Sequence, residues 1–225
     1  MEYLQNGYCL DIPSGCFPLS TDSILLSDFI RLPRNSTVLD LGSGCGTLGT
    51  LLCAKDPGCI VTGVELDEAA HTAALRNIAD NALEGRLSSI CSDLRSFHRP
   101  GFHCCISNPP YYTGGPASNR TPNARRDDNC TIGELMAAAS KNLRFGGDFF
   151  VVHKPEKLAQ LISCGAAEGL EAKRLRLIRH TESAAVSLIL LQFRKGGKPG
   201  LVWEEAFLFH SDGTPSDYYR KVYHL

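Results

Sequence analysis

Apolar residues fall into short runs separated by polar, glycine-containing stretches, and the runs alternate between strand-like and helix-like lengths. Residues 36–41 (Ser-Thr-Val-Leu-Asp-Leu) read as a strand, and a helix runs from Gly46, in a glycine turn, to about Ala54. Ile60–Glu65 is a second strand, followed by a helix N-capped by Asp67 and reaching about Asn81. Short strands are predicted at Ser88–Cys91 and Phe102–Ser107. Then come a helix over 131–143, a Gly146-Gly147 turn, a strand over 148–152 and a helix over 155–167. Strands over 171–179 and 185–193 have no helix between them and are expected to pair as an antiparallel hairpin at one edge, while residues 200–209 are a candidate further edge strand.

Strands alternating with helices imply an α/β protein with a mostly parallel sheet covered on both faces. The polar stretch 112–130, rich in Gly, Pro, Asn and Arg, is too long for a simple connector, so a lid over a bound substrate competes with a solvated loop.

A chain of 225 residues, 43% hydrophobic and 21% charged, suits one domain or one domain with a small appendage. No apolar run approaches the ~20 residues that cross a bilayer, and no signal peptide opens the sequence, so a cytoplasmic protein without a membrane partner is expected. The ten cysteines include no C-x-x-C pair and lie partly inside apolar runs, the pattern of reduced core residues; no metal is implied. The net charge of −1 hides an asymmetry: residues 1–100 carry seven Lys/Arg against twelve Asp/Glu, and residues 101–200 fourteen against eight. Lys173, Arg174, Arg176, Arg179, Arg194, Lys195 and Lys198 crowd together, which suits either a polyanion partner or a solvated strand edge.

In such sheets ligands bind beyond the carboxyl ends of the strands. Asp40 and the loop Gly42-Ser-Gly44-Cys-Gly46 lie after the first strand, Glu65 ends the second, Asp93 follows the third and Asn108 ends the fourth. Glu65 is placed to accept both hydroxyls of a ribose, and Asp93 an adenine amino group. Each has a plainer alternative: Asp40 and Asp93 tie local turns, and Glu65 serves as a helix N-terminal charge. Gly44-x-Gly46-x-x-Gly49 also matches the dinucleotide fingerprint, which keeps a nicotinamide enzyme in contention. Against it, Asp40 would repel a pyrophosphate, whereas a cationic sulfonium ligand tolerates these carboxylates.

The most specific signal is Asn108-Pro109-Pro110-Tyr111. The asparagine oxygen and the Pro109 carbonyl can each accept one proton of a planar NH2 group. The prolines fix the backbone carbonyl, and Tyr111 offers a ring face on which a base stacks.

Together these residues resemble class I S-adenosylmethionine-dependent methyltransferases, and most closely the bacterial tRNA (adenine-N6)-methyltransferases acting on valine tRNA. The likeness extends to Phe17-Pro-Leu-Ser-Thr-Asp22-Ser-Ile-Leu-Leu26, Ala124-Arg125, Cys130-Thr131, Val152-His153-Lys154-Pro155-Glu156 and Lys195–Gly200. Asp127 departs from it, standing where a Glu is expected.

The resemblance implies a Rossmann-like fold with a mostly parallel seven-stranded sheet and an antiparallel edge hairpin. It implies one methyltransferase domain, with a cofactor-capping segment (1–35), a catalytic core (36–193) and an extension (194–225). S-adenosyl-L-methionine is the expected cofactor and S-adenosyl-L-homocysteine the product. Thr21, Asp22, Asp40, Gly42, Gly44, Gly46, Glu65, Leu66, Asp93, Leu94 and Asn108 would hold the cofactor. Asn108, Pro109 and Tyr111 would position the target amine. Arg120, Arg125, Arg126, Lys173, Arg174 and Arg176 are the candidate contacts to tRNA or another structured RNA. Adenosine 37 beside the anticodon of valine tRNA is the implied target. Protein glutamine methyltransferases share Asn-Pro-Pro-Tyr and are the alternative, because a glutamine side chain presents the same NH2 geometry.

Overall fold

The short aliphatic runs fold as the central strands of a sheet covered on both faces. The computed structural model describes residues 1–4, 7–110 and 130–223. In chain order the elements begin with β1 (Glu2–Tyr3), β2 (Cys9–Leu10), α1 (Thr21–Phe29), β3 (Thr37–Leu41), α2 (Thr47–Lys55) and β4 (Ile60–Glu65). They continue with α3 (Glu68–Asp80), β5 (Leu87–Cys91), β6 (Phe102–Ser107), α4 (Ile132–Asn142), β7 (Leu143–His153) and α5 (Leu158–Ala167). β8 (Leu170–Thr181), β9 (Val186–Lys195), β10 (Val202–Phe209) and α6 (Asp217–Tyr223) complete them.

The main sheet has eight strands in the order β10-β8-β9-β7-β6-β3-β4-β5, and β1 pairs with β2 apart from it. Only β9 runs antiparallel to its neighbours, β7 and β8. Because successive strand residues point to opposite faces, neighbours divide between two cores. Val38, Cys104, Phe150 and Leu190 join the core that also holds α1 and α2, while Leu39, Cys105, Phe149 and Ile189 join the one against α4 and α5.

Two expectations need correction. The sheet has eight strands, not seven, because the candidate edge strand at 200–209 joins it as β10, parallel to β8, and the β8–β9 hairpin is therefore not at the edge. The chain leaves β9, crosses the start of β8 with Lys198 O held by Lys173 Nζ at 2.8 Å, and sets Glu204 of β10 against Arg174 and Arg176 of β8. The Gly146-Gly147 pair likewise does not precede a strand; it lies within β7, with Gly146 at φ 75°.

Helix α3 starts where the sequence marks it, Asp67 Oδ1 accepting the amides of Ala69 and Ala70. Thr131 and Glu134 close a reciprocal capping box on α4. The helices α1 and α6 were not apparent from the pattern. Among the described residues, no helix is long and apolar enough to cross a membrane.

Candidate active site

The carboxyl ends of β3, β4, β5 and β6 converge on a cavity of about 510 Å³, within the range of small-molecule sites. Register brings these ends together: Asp40 pairs with Gly63 on one side and with Ile106 on the other. The buried Ser107 hydroxyl donates to Leu41 O at 2.7 Å, and so seats Asn108 beside the first residue of the glycine loop.

That loop turns back because Gly42 and Gly44 adopt φ of 72° and 54°, a region unfavourable to other residues. A Cβ at either would meet open space rather than protein. The Glu65 carboxylate holds the loop, accepting Gly44 N–H at 2.7 Å through Oε2 and Asp67 N–H at 2.8 Å through Oε1. A carboxylate oxygen has lone pairs beyond one bond, so Glu65 organises the loop and keeps capacity for hydroxyls.

Asp40 is only 1% exposed, and neither of its carboxylate oxygens has a hydrogen-bond partner among the described residues. Burial, reinforced by the Glu65 charge, pushes its pKa up to about 8, and only the nearby Gly49 amide pulls the other way. The Ser43 hydroxyl is likewise buried without a partner. Unsatisfied buried groups at a cavity wall call for a ligand that completes them.

The cavity lining holds Asp40, Glu65, Asp67 and Asp93 and, among the described residues, no Lys or Arg. Four carboxylates without a cation among the described lining residues disfavour a pyrophosphate, which counts against the nicotinamide alternative. A ligand bearing a sulfonium and an ammonium fits this donor set, with Asp40 and Glu65 the residues that would face its positive and hydroxyl groups.

Asn108 sits on the cavity wall, and its Nδ2 donates to Ser23 Oγ at 2.9 Å. With the nitrogen so directed, Oδ1 is the acceptor end of the amide. Pro109 and Pro110 line a smaller adjoining recess with Leu94, Cys130 and His153. His153 is buried, and burial lowers its pKa to about 4, so it is neutral; its Nδ1 accepts Lys154 N–H at 2.8 Å. Tyr111, Arg120, Arg125 and Arg126 lie outside the described residues.

Leu66 and Leu94 line the cavity. Asp93 lines it too, but its carboxylate forks with Arg95 at 2.6 and 2.9 Å and accepts Arg95 N–H at 2.8 Å, the local turn that was its alternative reading. The Arg95 guanidinium holds its pKa below the usual carboxylate range.

Thr21 and Asp22 do not line the cavity; the same helix offers Ser23 instead, and Thr21 Oγ1 lies 3.1 Å from the Tyr223 hydroxyl of α6. Sequence reading placed Ser23 and Phe17 in the expected capping segment 1–35 without naming them as site residues; with Gly15 and Cys16 of the same segment they form part of the wall.

The basic cluster needs the firmest correction. Arg174 is 9% exposed, pairs with Glu204 at 3.0 Å and stacks over the Phe29 ring at 4.1 Å. Arg176 is shared between Asp28 at 3.0 Å and Glu204 at 2.7 Å. Both charges are neutralised inside the fold, and Lys173 lies at the opposite end of the sheet from Asn108, near the start of β8. A run of cations in sequence does not reveal that carboxylates of α1 and β10 fold onto it.

Residues 20–162 match the family described as methyltransferase small domain. A protein of Photobacterium profundum named tRNA1(Val) (adenine(37)-N6)-methyltransferase is 27% identical over 90% of this chain and 88% of its own. One of the same name from Pseudoalteromonas translucida is 30% identical, over 78% of this chain and 76% of its own. A solved structure of a predicted O-methyltransferase from Agrobacterium tumefaciens superposes with a TM-score of 0.76 at 19% identity, covering 91% of this chain and 96% of that one, a likeness of fold.

Fold and site together define a Rossmann-like class I methyltransferase that uses S-adenosyl-L-methionine. Within that class, the chain belongs to the methyltransferase small domain family.

Proposed function

We propose that this enzyme methylates the N6 amino group of an adenosine in tRNA, namely adenosine 37 beside the anticodon of valine tRNA. The names of the full-length relatives support the substrate. The observation that carries the chemistry is the Asn108 amide, its nitrogen bonded to Ser23, on the wall of a cavity whose buried Asp40 lacks a partner among the described residues.

Bound S-adenosylmethionine supplies an electrophilic methyl group. The chain's own residues hold and aim the amine. Asn108 Oδ1 accepts one N–H of the adenine amino group and the Pro109 carbonyl accepts the other, so the lone pair is turned out of conjugation toward the methyl. Two bound reactants no longer have to find each other, and this positioning accounts for much of the acceleration. Alkylation makes the amine acidic, so its proton leaves to solvent and no strong base is required; neutral, buried His153 is not placed as one. Tyr111 supplies the stacking face, and Arg120, Arg125 and Arg126, which follow it in sequence, supply phosphate contacts. Residues 1–35 cap the cofactor, and product S-adenosyl-L-homocysteine leaves by the same cavity.

The test uses S-adenosylmethionine labelled in its methyl group, with valine tRNA and with a transcript in which adenosine 37 is replaced. Digestion to nucleosides should give labelled N6-methyladenosine from the first and none from the second. Label recovered as methylglutamine in a protein fraction would transfer the reading to the glutamine enzymes.

A further inference from the structure

We propose that Ser23 is a positioning residue that sets which end of the Asn108 amide meets the substrate; this rests on the amine-holding reading of Asn108. An asparagine amide has two nearly isosteric ends, one a double acceptor and the other a double donor. Turned by 180°, it would present N–H groups to an NH2, donor against donor. Contact shape does not prevent that turn; a hydrogen bond must.

The bond comes from the first turn of α1. Ser20 is the N-cap of that helix: its Oγ accepts Ser23 N–H at 3.4 Å and lies 3.5 Å from Ser23 Oγ. Ser20 Oγ and Ser23 Oγ are placed so that either is able to donate to the other, and with the Ser23 proton on Ser20 the serine is left as an acceptor. The lone pairs of Ser23 Oγ then face Asn108, whose Nδ2 donates to them at 2.9 Å. Ser23 is 3% exposed, so water does not readily substitute for that acceptor. In that order, Ser20, Ser23, Asn108 Nδ2, the amide nitrogen is committed to Ser23 and Oδ1 is the end turned away from it. The helix cap and the acceptor end of the amide are set by one chain of groups.

Ser23 also lines the cavity, so a direct cofactor contact is the competing role. Four proteins decide: wild type, Ser23→Ala, Asn108→Ala and the double variant, each assayed for turnover and for S-adenosylmethionine affinity by calorimetry. Ser23→Ala should lower kcat roughly tenfold and leave cofactor affinity within twofold. On the Asn108→Ala background the same change should alter turnover by less than twofold, since no amide remains to orient. Multiplied losses in the double variant would make Ser23 a support of α1 and overturn the proposal. Weakened cofactor binding with kcat preserved would make it a cofactor contact and also overturn it. If Asn108→Ala itself keeps full turnover, the reading of the amide fails first; if only Ser23→Ala does, the positioning role alone fails. Because alanine favours the helix, Ser23→Ala should fold, and its cofactor affinity reports that it has.

Discussion

Asp40 and Glu65 end adjacent parallel strands, and they divide the electrostatics of the cavity unequally. Glu65 is held by two backbone amides, whereas neither Asp40 oxygen has a hydrogen-bond partner among the described residues, and Asp40 feels the charge of Glu65. Above the ordinary carboxyl pKa the unfolded chain releases a proton that the folded, ligand-free protein keeps until about pH 8. Folding therefore takes up a proton in that window, and stability falls as pH rises, by up to about 1.4 kcal/mol per unit. Thermal melts of ligand-free protein from pH 5 to 8.5 should show this slope, and Asp40→Asn should flatten it. Equal slopes in the two proteins would mean that Asp40 is ionised throughout.

The same carboxyl predicts how the cofactor binds. A sulfonium favours the ionised form of Asp40, so S-adenosylmethionine should release close to one proton on binding at pH 7. The product, which lacks that charge, should release less. Calorimetry in buffers of different ionisation enthalpy measures both, and identical proton counts would separate Asp40 from the sulfonium.

Asn108→Ala removes an interaction that strengthens as the amine is alkylated. It should lower kcat by a factor of about a hundred or more, ~2.7 kcal/mol or more of transition-state stabilisation, with cofactor affinity nearly intact. Parallel losses in turnover and affinity would reduce Asn108 to a structural residue.

Arg174, taken from its sequence context as an RNA contact, is expected instead to hold the sheet edge. Arg174→Ala leaves Glu204 paired with Arg176 and Phe29 with only the more distant Arg176 over its ring, and should destabilise by roughly 1–3 kcal/mol. The salt dependence of RNA binding should stay unchanged. A flattened salt dependence with normal thermal stability would restore the surface reading.

The parts of this site that could be read from sequence are those each carried by a short segment. The loop after β3, the acid ending β4 and the tetrad after β6 occur in the order that parallel strands require, and the sheet brings their ends together. Ser23 and Arg174 show what could not be read. Ser23 meets Asn108 across 85 residues, and Arg174 reaches Phe29 O across 145. No local pattern distinguishes a serine that orients an amide from one that only solvates a helix end, or a buried arginine from an exposed one. β10 was legible as a candidate edge strand, but its partner was not, since Glu204 meets Arg174 and Arg176 of β8 only in the folded sheet.

The last prediction concerns the N-terminal segment. Asn77 of α3 and Asn81 at its C-cap read that segment's backbone as a neighbouring strand would. Asn81 pairs with N–H and O of Cys9 at 2.8 and 2.7 Å, and Asn77 with those of Asp11 at 2.7 and 3.1 Å. Asn77 Nδ2 also donates to Cys45 O at 3.0 Å, tying the segment to the glycine loop. Gly15, Cys16 and Phe17, just beyond these clamps, form cavity wall, so releasing the clamps should loosen that wall. Asn77→Ala strips partners from three backbone groups and should cost on the order of 1–3 kcal/mol in stability. Its larger effect should be on the cofactor: about tenfold weaker binding through faster dissociation, with kcat at saturation little changed. Stopped-flow displacement of bound S-adenosyl-L-homocysteine measures this, and an unchanged off-rate would show that the segment lies against the cavity without holding what is in it.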